Sequence, residues 1–225
     1  RPVRPNLSLG DTVAGLHAAL GIALALLERH SSKQGQVVDV ALFESVFNLL
    51  EAVIPEFDGA GEIRQPAGST VTGIVPTNTY RCADGKYVII GGNGDSIFKR
   101  LMTTAERPDL AEDPRLAKNP GRVENEAEID GAIEAWCATL PSPEVLAKLE
   151  ANRVPCGPIY SAADMMADPH FQARGLFQQV EINGAPLKIP AIMPRLGGTP
   201  GGTRWPGGDA GGDTESVARG ELGLS

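Results

Sequence analysis

The sequence predicts an α/β protein, and three stretches carry that prediction. Residues 11–29 place apolar side chains at the spacing of one helix face. Residues 37–42 alternate as a strand does, and residues 43–54 return to helical spacing. Residues 78–92 hold two short apolar runs around an Asp-Gly pair, which is a strong hairpin signal. Helices, a strand and a hairpin joined by short turns are typical of α/β layers.

Asp11 is the candidate catalytic residue. Asp is a favoured helix N-cap, so the first helix is expected to begin at Asp11 and to run to about Arg29. A carboxylate there faces the positive end of the helix dipole, which favours its ionised form. Gly10 and Gly15 let a ligand approach the backbone. Such a carboxylate can act as a nucleophile, and a purely structural cap is the alternative interpretation.

The composition excludes some classes of function. The 225 residues are enough for one large domain or two small ones, and 42% of them are hydrophobic. A net charge of −8 argues against a nucleic-acid partner. Asp11, His17 and Glu28 interrupt the apolar first helix, so we expect no membrane partner. There is no signal-peptide pattern.

The three cysteines predict neither disulfides nor a metal site. Cys82, Cys137 and Cys156 are odd in number and widely spaced. They fit reduced thiols of a cytoplasmic protein. Cys156 lies in an apolar loop without a neighbouring base, so we interpret it as a buried small side chain rather than a nucleophile.

The remaining segments predict a four-part organisation. Residues 56–78 are rich in Gly, Pro, Ser and Thr and read as a linker or mobile loop. Residues 107–121 are polar and read as irregular, and residues 176–189 predict a hairpin around an Asn-Gly turn. The expected divisions are a first segment with the catalytic Asp, a linker, a small domain and a return segment with a tail: 1–55, 56–78, 79–152 and 153–225.

Two stretches resemble the class III CoA-transferase family, which includes formyl-CoA transferase, carnitine CoA-transferase and 2-methylacyl-CoA racemase. The first is the Gly10-Asp11 pair with Gly15, its helix, and the run from Lys33 to Ser45. The second, residues 154–177, has a Pro-Cys-Gly-Pro turn, a Ser-capped short helix and an Asp-Pro helix start. The resemblance covers nearly the whole chain.

The resemblance implies part of a large Rossmann-like domain and a small α/β domain, in an interlocked homodimer. It assigns Asp11 as the catalytic residue. It also suggests that the loop around Thr72 and Gly73 closes over the reacting thioester, with a plain linker as the alternative. The implied reaction moves coenzyme A from an acyl-CoA thioester to a carboxylic acid through an aspartyl mixed anhydride. Coenzyme A is then a substrate, and no permanently bound cofactor or metal is expected.

The chain is expected to be part of a longer protein. It opens without Met and reaches Asp11 at once, whereas family members are longer. We therefore expect a partner segment, the upstream half of the same protein.

A racemase of 2-methyl-branched acyl-CoA esters would use Asp11 for proton transfer together with a second carboxylate. The only acidic residue close to the position of that second carboxylate in this sequence is Asp95. A non-catalytic scaffold of the same fold is the other alternative.

Overall fold

The structure, a computed structural model, describes residues 5–224. Residues 1–4 and 225, at the ends of the first and last predicted segments, lie outside the described residues. The chain forms two compact units, which divide between Gly157 and Pro158. The architecture is mixed α/β, as the sequence predicts, with helices and two small sheets. The four-part division remains a prediction.

The first unit contains eight of the α-helices described and the first sheet. Its strands are β1 (Thr77–Arg81), β2 (Tyr87–Gly91) and, at the boundary between the units, β3 (Cys156–Pro158). Its helices are α1 (Leu9–Ser32), α2 (Leu42–Phe47), α3 (Val53–Ala60), α4 (Asp95–Thr104), α5 (Pro108–Ala111), α6 (Asn119–Glu124), α7 (Glu126–Cys137) and α8 (Ser142–Ala151).

Helix α1 leaves most of its apolar surface exposed. Ala14 is its one buried residue, whereas Leu16, Leu20 and Leu27 are 58–69% exposed. By length and composition alone, α1 could cross a membrane, with a mean hydropathy of 1.6. The expectation that Asp11, His17 and Glu28 interrupt the apolar run is therefore wrong: Asp11 and Glu28 lie towards the two ends of the helix, and His17 alone does not make it too polar. A core helix, or a signal sequence near an N-terminus, passes the same test.

The strand predicted for residues 37–42 is wrong. Residues 33–41 form neither helix nor strand in the described chain, where no strand pairs with them. They pass close to α1: a Cβ on Gly21 would lie 2.8 Å from Cγ1 of Val38. The glycine permits this approach.

The single helix predicted for residues 43–54 is two short helices. Glu51 lies between α2 and α3 with a left-handed φ of 47°. Pro55 is the third residue of α3, not its stop. A proline is tolerated in a first turn because its missing N–H would have no intrahelical acceptor.

The core of the first unit lies between its sheet and helices α4, α7 and α8. The antiparallel hairpin of β1 and β2 places Tyr80 opposite Val88, and Gly85 turns with φ 78°. Both strand residues are buried. The fully buried side chains of this core include Ile90, Leu101, Met102, Leu116, Ile129, Ile133, Val145 and Leu149.

The segment predicted to be irregular, residues 107–121, contains short helices. Helix α5, a 3₁₀ turn at Pro114–Leu116 and helix α6 follow one another. Each has a proline in its first two positions, where proline starts a helix well. The prolines therefore act as helix starts here.

The second unit is a pair of short helices and a hairpin. Helices α9 (Ala162–Ala167) and α10 (Pro169–Ala173) precede β4 (Phe177–Ile182) and β5 (Ala185–Pro190). Ser161 caps α9, as the sequence predicts, and forms a capping box with Asp164. Asn183 and Gly184 have φ of 51° and 76°, as a two-residue hairpin turn requires. A π-helical turn follows at Ser216–Glu221.

Candidate active site

Asp11 is the third residue of helix α1 rather than its N-cap. Hydrogen bonding starts at Ser8, whose carbonyl accepts from the backbone N–H of Thr12 at 3.0 Å and from its hydroxyl at 2.9 Å. Ser8 is therefore the N-cap residue, and its side chain makes no capping bond. The expectation that Asp11 caps the helix is wrong by three positions, and α1 ends at Ser32, beyond Arg29. Asp11 remains in the first turn, where the helix dipole favours an anion.

The carboxylate of Asp11 is exposed. In the described chain it makes no hydrogen bond or ion pair. No acceptor in residues 5–224 faces the backbone N–H groups of Gly10 and Asp11. One turn along the helix, a Cβ on Gly15 would meet nothing within 4 Å. A ligand can therefore reach this carboxylate from the side of the first turn.

Thr72 and Gly73 form a tight turn at the edge of an open depression. Val71 and Ile74 make an isolated antiparallel bridge around them, and Gly73 has a φ of 79°. The depression has a volume of about 540 Å³. Its lining comes from α3 and the following segment, the turn, and helices α6 and α7: Glu56, residues 62–67, Thr70, Thr72, Gly73, Val123 and Glu126.

The described chain does not bring the predicted site residues together. Asp11 is not among the residues that line the depression of Thr72 and Gly73. A second groove, of about 310 Å³, lies between α1 and α2 and is lined by His17, Asp39, Glu44 and their neighbours, again without Asp11. The three site assignments remain predictions.

The depression is acidic, with one internal ion pair. Arg64 donates from Nε and Nη2 to the two carboxylate oxygens of Glu56, each at 2.6 Å. These bonds lower the pKa of Glu56 and raise that of Arg64.

Comparison with known proteins identifies the family of this chain. A family model described as CoA-transferase family III matches residues 1–214. The chain belongs to CoA-transferase family III. The resemblance read from the sequence is confirmed.

Individual family relatives match the chain over its whole length. The succinyl-CoA–D-citramalate CoA-transferase of Chloroflexus aurantiacus is 39% identical over 225 residues, covering 100% of this chain and 56% of the relative. A succinyl-CoA–L-malate CoA-transferase alpha subunit from the same organism is 35% identical over 226 residues, covering 100% and 53%. This chain thus spans about half the length of these curated relatives.

A solved structure supports the fold of this family III chain. The crystal structure of a CaiB/BaiF family protein from Brucella suis matches with a TM-score of 0.77 and 29% sequence identity. The match covers 99% of this chain and 57% of that one. The mixed α/β fold is therefore shared with a member of the CaiB/BaiF family.

Asp95, the acidic residue nearest the racemase position, is held in ion pairs. Its Oδ2 accepts from Nζ of Lys118 at 2.7 Å, and its Oδ1 accepts from Nη2 of Arg122 at 3.0 Å. These two cations lower the pKa of Asp95, Lys118 most strongly. A carboxyl held in this way is a poor proton shuttle at neutral pH.

The cysteines of this family III chain are unsuited to nucleophilic attack. All three are free thiols, and Cys82 and Cys137 are buried. Burial raises the pKa of each thiol, that of Cys137 to about 12. The reactive thiolate is therefore scarce at neutral pH. Within residues 5–224 no three His, Cys, Asp or Glu side chains are grouped to hold a metal.

Sequence reasoning missed two residues that hold the Thr72–Gly73 turn. Asn119 bonds to Gly73 and Val75, and Arg122 bonds to Val75. Both lie in α6, inside or beside the segment interpreted as irregular. No local signal marks them, because their partners lie more than 40 residues away in the sequence.

Proposed function

We propose that the full protein transfers coenzyme A from an acyl-CoA thioester to a carboxylic acid, with Asp11 as the nucleophile. The observation that carries the proposal is the position of Asp11: an exposed, unpaired carboxylate in the first turn of α1. Family membership over residues 1–214 supports this chemistry. The names of the relatives suggest succinyl-CoA as the donor and citramalate or malate as the acceptor to assay first.

The proposed reaction divides one difficult exchange into easier steps. A carboxylate oxygen of Asp11 attacks the thioester carbonyl carbon, the carbon–sulfur bond breaks, and a mixed anhydride and a CoA thiolate form. The thiolate attacks the aspartyl carbonyl and releases the donor acid, which leaves an aspartyl-CoA thioester. The acceptor carboxylate attacks the aspartyl carbonyl of that thioester, the carbon–sulfur bond breaks, and the thiolate is freed again while a second mixed anhydride forms between Asp11 and the acceptor. Attack of the thiolate on the acceptor's acyl carbonyl gives the new acyl-CoA and restores Asp11.

The first turn of α1 suits Asp11 to this role. Asp11 must act as an attacking carboxylate and later as a leaving group, and the positive end of the helix dipole stabilises that anion in both steps. The open space beside Gly15 leaves room for the thioester. Each anhydride is hydrolysable, so water must be excluded while it exists. We assign that task to the turn of Thr72 and Gly73.

We propose that other parts of the assembly cover α1 and complete the site. The exposed leucines of α1 suit burial against the upstream half of the same protein and an interlocked second copy. The unpaired residues 33–41 suit the edge of a Rossmann-like sheet supplied by that upstream half. Three free thiols favour a cytoplasmic location.

A racemase of 2-methyl-branched acyl-CoA esters is the second candidate function. It needs a partner acid for Asp11, and Asp95 is engaged by Lys118 and Arg122. This engagement favours transfer over racemisation. Racemisation would bring deuterium from D₂O into the 2-position of a branched acyl-CoA with no acceptor acid present, so such exchange would contradict our preference.

Trapping the aspartyl thioester tests the proposed function. The full protein is incubated with succinyl-CoA and hydroxylamine, whose nitrogen attacks the aspartyl carbonyl and displaces the CoA thiol. We expect a hydroxamate on Asp11, identified by mass spectrometry of the digested protein. Asp11→Ala should lose both the label and CoA transfer, whereas Asp58→Ala, at an exposed carboxylate of α3, should keep both. A label on another residue, or transfer by Asp11→Ala, would remove Asp11 from the mechanism, and no transfer by the unaltered protein would favour the scaffold alternative.

A further inference from the structure

Asn119, the first residue of α6, holds both ends of one peptide segment. Its Nδ2 donates to the carbonyl of Gly73 at 2.8 Å. Its Oδ1 accepts from the backbone N–H of Val75 at 3.2 Å. A single amide side chain thus replaces the two backbone partners that this part of the turn lacks. No other hydrogen bond of the side chain is present in residues 5–224.

The turn needs such an external support. Gly73 has a φ of 79°. Because glycine has no Cβ, its backbone has more conformational freedom than that of any other residue. The neighbouring bridge between Val71 and Ile74 is isolated rather than part of a sheet. Without Asn119, the carbonyl of Gly73 would have no partner in the described chain. The position of the Gly73 carbonyl therefore depends on Asn119, whereas Arg122 also holds the carbonyl of Val75.

The other end of this segment is also fixed. The hydroxyl of Ser69 donates to Oδ1 of Asn78 at 2.6 Å and accepts from the hydroxyl of Thr79 at 2.9 Å. Asn78 and Thr79 belong to β1. The segment from Ser69 to Val75 is thus tied to the sheet at one end and to α6 at the other.

Helix α6 is itself a rigid support. The guanidinium of Arg122, one turn after Asn119, is fully buried and donates to the carbonyls of Val75, Leu116 and Asn93 at 2.7–3.1 Å. It also lies 5.1 Å from the centre of the Phe98 ring. These contacts fix α6 to the core. The backbone of Asn119 is therefore held in place, and its side chain can fix the position of the turn.

We propose that Asn119 is a positioning residue for CoA transfer: it holds the Thr72–Gly73 turn in the place from which the turn keeps water away from the acyl-aspartyl anhydride. The inference rests on the proposed function, because that function supplies the anhydride. Asn119 acts through the turn and touches no reacting atom.

The proposal predicts a change in the fate of the anhydride. When water attacks its acyl carbonyl, the carbon–oxygen bond to Asp11 breaks, the donor acid and the Asp11 carboxylate form, and CoA leaves as a free thiol. When transfer succeeds, CoA instead ends on the acceptor. A loosened turn raises the share of hydrolysis, whereas partial unfolding lowers transfer and hydrolysis by the same factor. The ratio of free thiol to new acyl-CoA therefore separates positioning from a merely structural role.

Three variants of the full protein test the role of Asn119. Asn119→Ala removes both bonds, and Asn119→Asp keeps the oxygen that accepts from Val75 but loses the donor to Gly73. Asn152→Ala is the matched control, because that amide donates to the carbonyl of Lys148 at the end of α8, away from the turn. The assay follows free thiol with a chromogenic thiol reagent and new acyl-CoA by chromatography, with and without acceptor.

We expect both Asn119 variants to lower kcat for transfer by about tenfold, with a smaller change in KM, and to raise the ratio of hydrolysis to transfer severalfold. Asn152→Ala should leave the ratio unchanged. Hydrogen exchange of residues 69–75 should be faster in the Asn119 variants, and this readout does not depend on activity. An unchanged ratio and unchanged exchange in Asn119→Asp, in a protein whose unaltered form transfers CoA, would overturn the inference alone. If the unaltered protein transfers no CoA, the proposed function itself fails.

Discussion

The hydroxyl of Tyr80 on β1 donates to Oδ1 of Asp130 on α7 at 2.6 Å. The second oxygen of Asp130 accepts from Nδ2 of Asn78 at 2.8 Å. Tyr80 is only 3% exposed. Burial, followed by the bond to Asp130, raises the pKa of the phenol far above its usual range, so the phenol stays a donor at any physiological pH. One carboxylate thus joins the sheet to the helix packed on it.

Replacing Tyr80 by Phe should destabilise the protein by about 2 kcal/mol, because Asp130 loses a short hydrogen bond in a half-buried site. Urea unfolding of the full protein, followed by tryptophan fluorescence, measures the change. Tyr87→Phe is the matched control, since Tyr87 lies on the paired strand but is 48% exposed. Equal losses in the two variants would show that the bond to Asp130 contributes nothing of its own.

Replacing Arg122 by Lys should cost about 3–5 kcal/mol of folding free energy, although charge is conserved. A lysine ammonium cannot direct donors to the carbonyls of Val75, Leu116 and Asn93 at once, and buried carbonyls without partners are costly. Arg81→Lys, at an exposed strand end, should cost little. The measurement is the midpoint of urea unfolding. A midpoint for Arg122→Lys equal to that of Arg81→Lys would contradict the expectation.

Asp84 should make the stability depend on pH in the acid range. Its Oδ2 accepts two hydrogen bonds from Ser142, from the hydroxyl at 2.7 Å and from the backbone N–H at 3.1 Å. Its Oδ1 accepts from the backbone N–H of Lys86 at 3.1 Å. The Ser142 hydroxyl, together with these N–H groups, lowers the pKa of Asp84. Because the folded pKa is below the unfolded one, this contribution is complete above about pH 5 and is lost as pH falls through the folded pKa.

The test of this pH dependence uses Asp84→Asn. The variant should be less stable at pH 7, and its difference from the unaltered protein should shrink as pH falls from about 5 towards 2. Asp58→Asn, at an exposed carboxylate without hydrogen bonds in the described chain, serves as control. A difference that stays constant across this range would mean that Asp84 does not act through its charge.

The thiols should react in an order set by burial. Cys156 is half-buried, whereas Cys82 and Cys137 lie in the core, where burial raises the pKa of both thiols. An alkylating reagent at neutral pH should therefore label Cys156 first and the other two only on unfolding. Mass spectrometry of timed samples measures the three rates. Faster labelling of Cys137 than of Cys156 would contradict the described core.

The features predictable from sequence are those whose partners are close along the chain. The Asn183-Gly184 turn and the Ser161–Asp164 capping box depend on residues at most three positions apart, and both form. Residues 37–42 alternate correctly, but a strand also needs a neighbour, which the described chain does not offer. Asn119 looks ordinary in sequence, and only the fold brings the carbonyl of Gly73 to it.

The candidate site likewise combines features that depend on neighbouring residues, which the sequence predicts, with features that depend on distant ones, which it does not. The motif around Gly10 and Asp11 identifies the family and places the carboxylate in a first helical turn. The position of the N-cap depends on the backbone angles at Ser8, and the Ser8 side chain makes no capping bond that would have indicated it. The distance from Asp11 to the rest of a reaction site depends on packing between distant segments, which helical spacing does not encode.

The bare leucines of α1 affect how the protein has to be made. Helix α1 has 24 residues, and apolar side chains such as Leu27, which is 69% exposed, lie on its surface. An exposed apolar helix of this kind binds chaperones and promotes aggregation. Production of residues 5–224 by themselves should yield aggregates or chaperone-bound material. Co-expression with the upstream half, which we propose covers this helix, should rescue the yield.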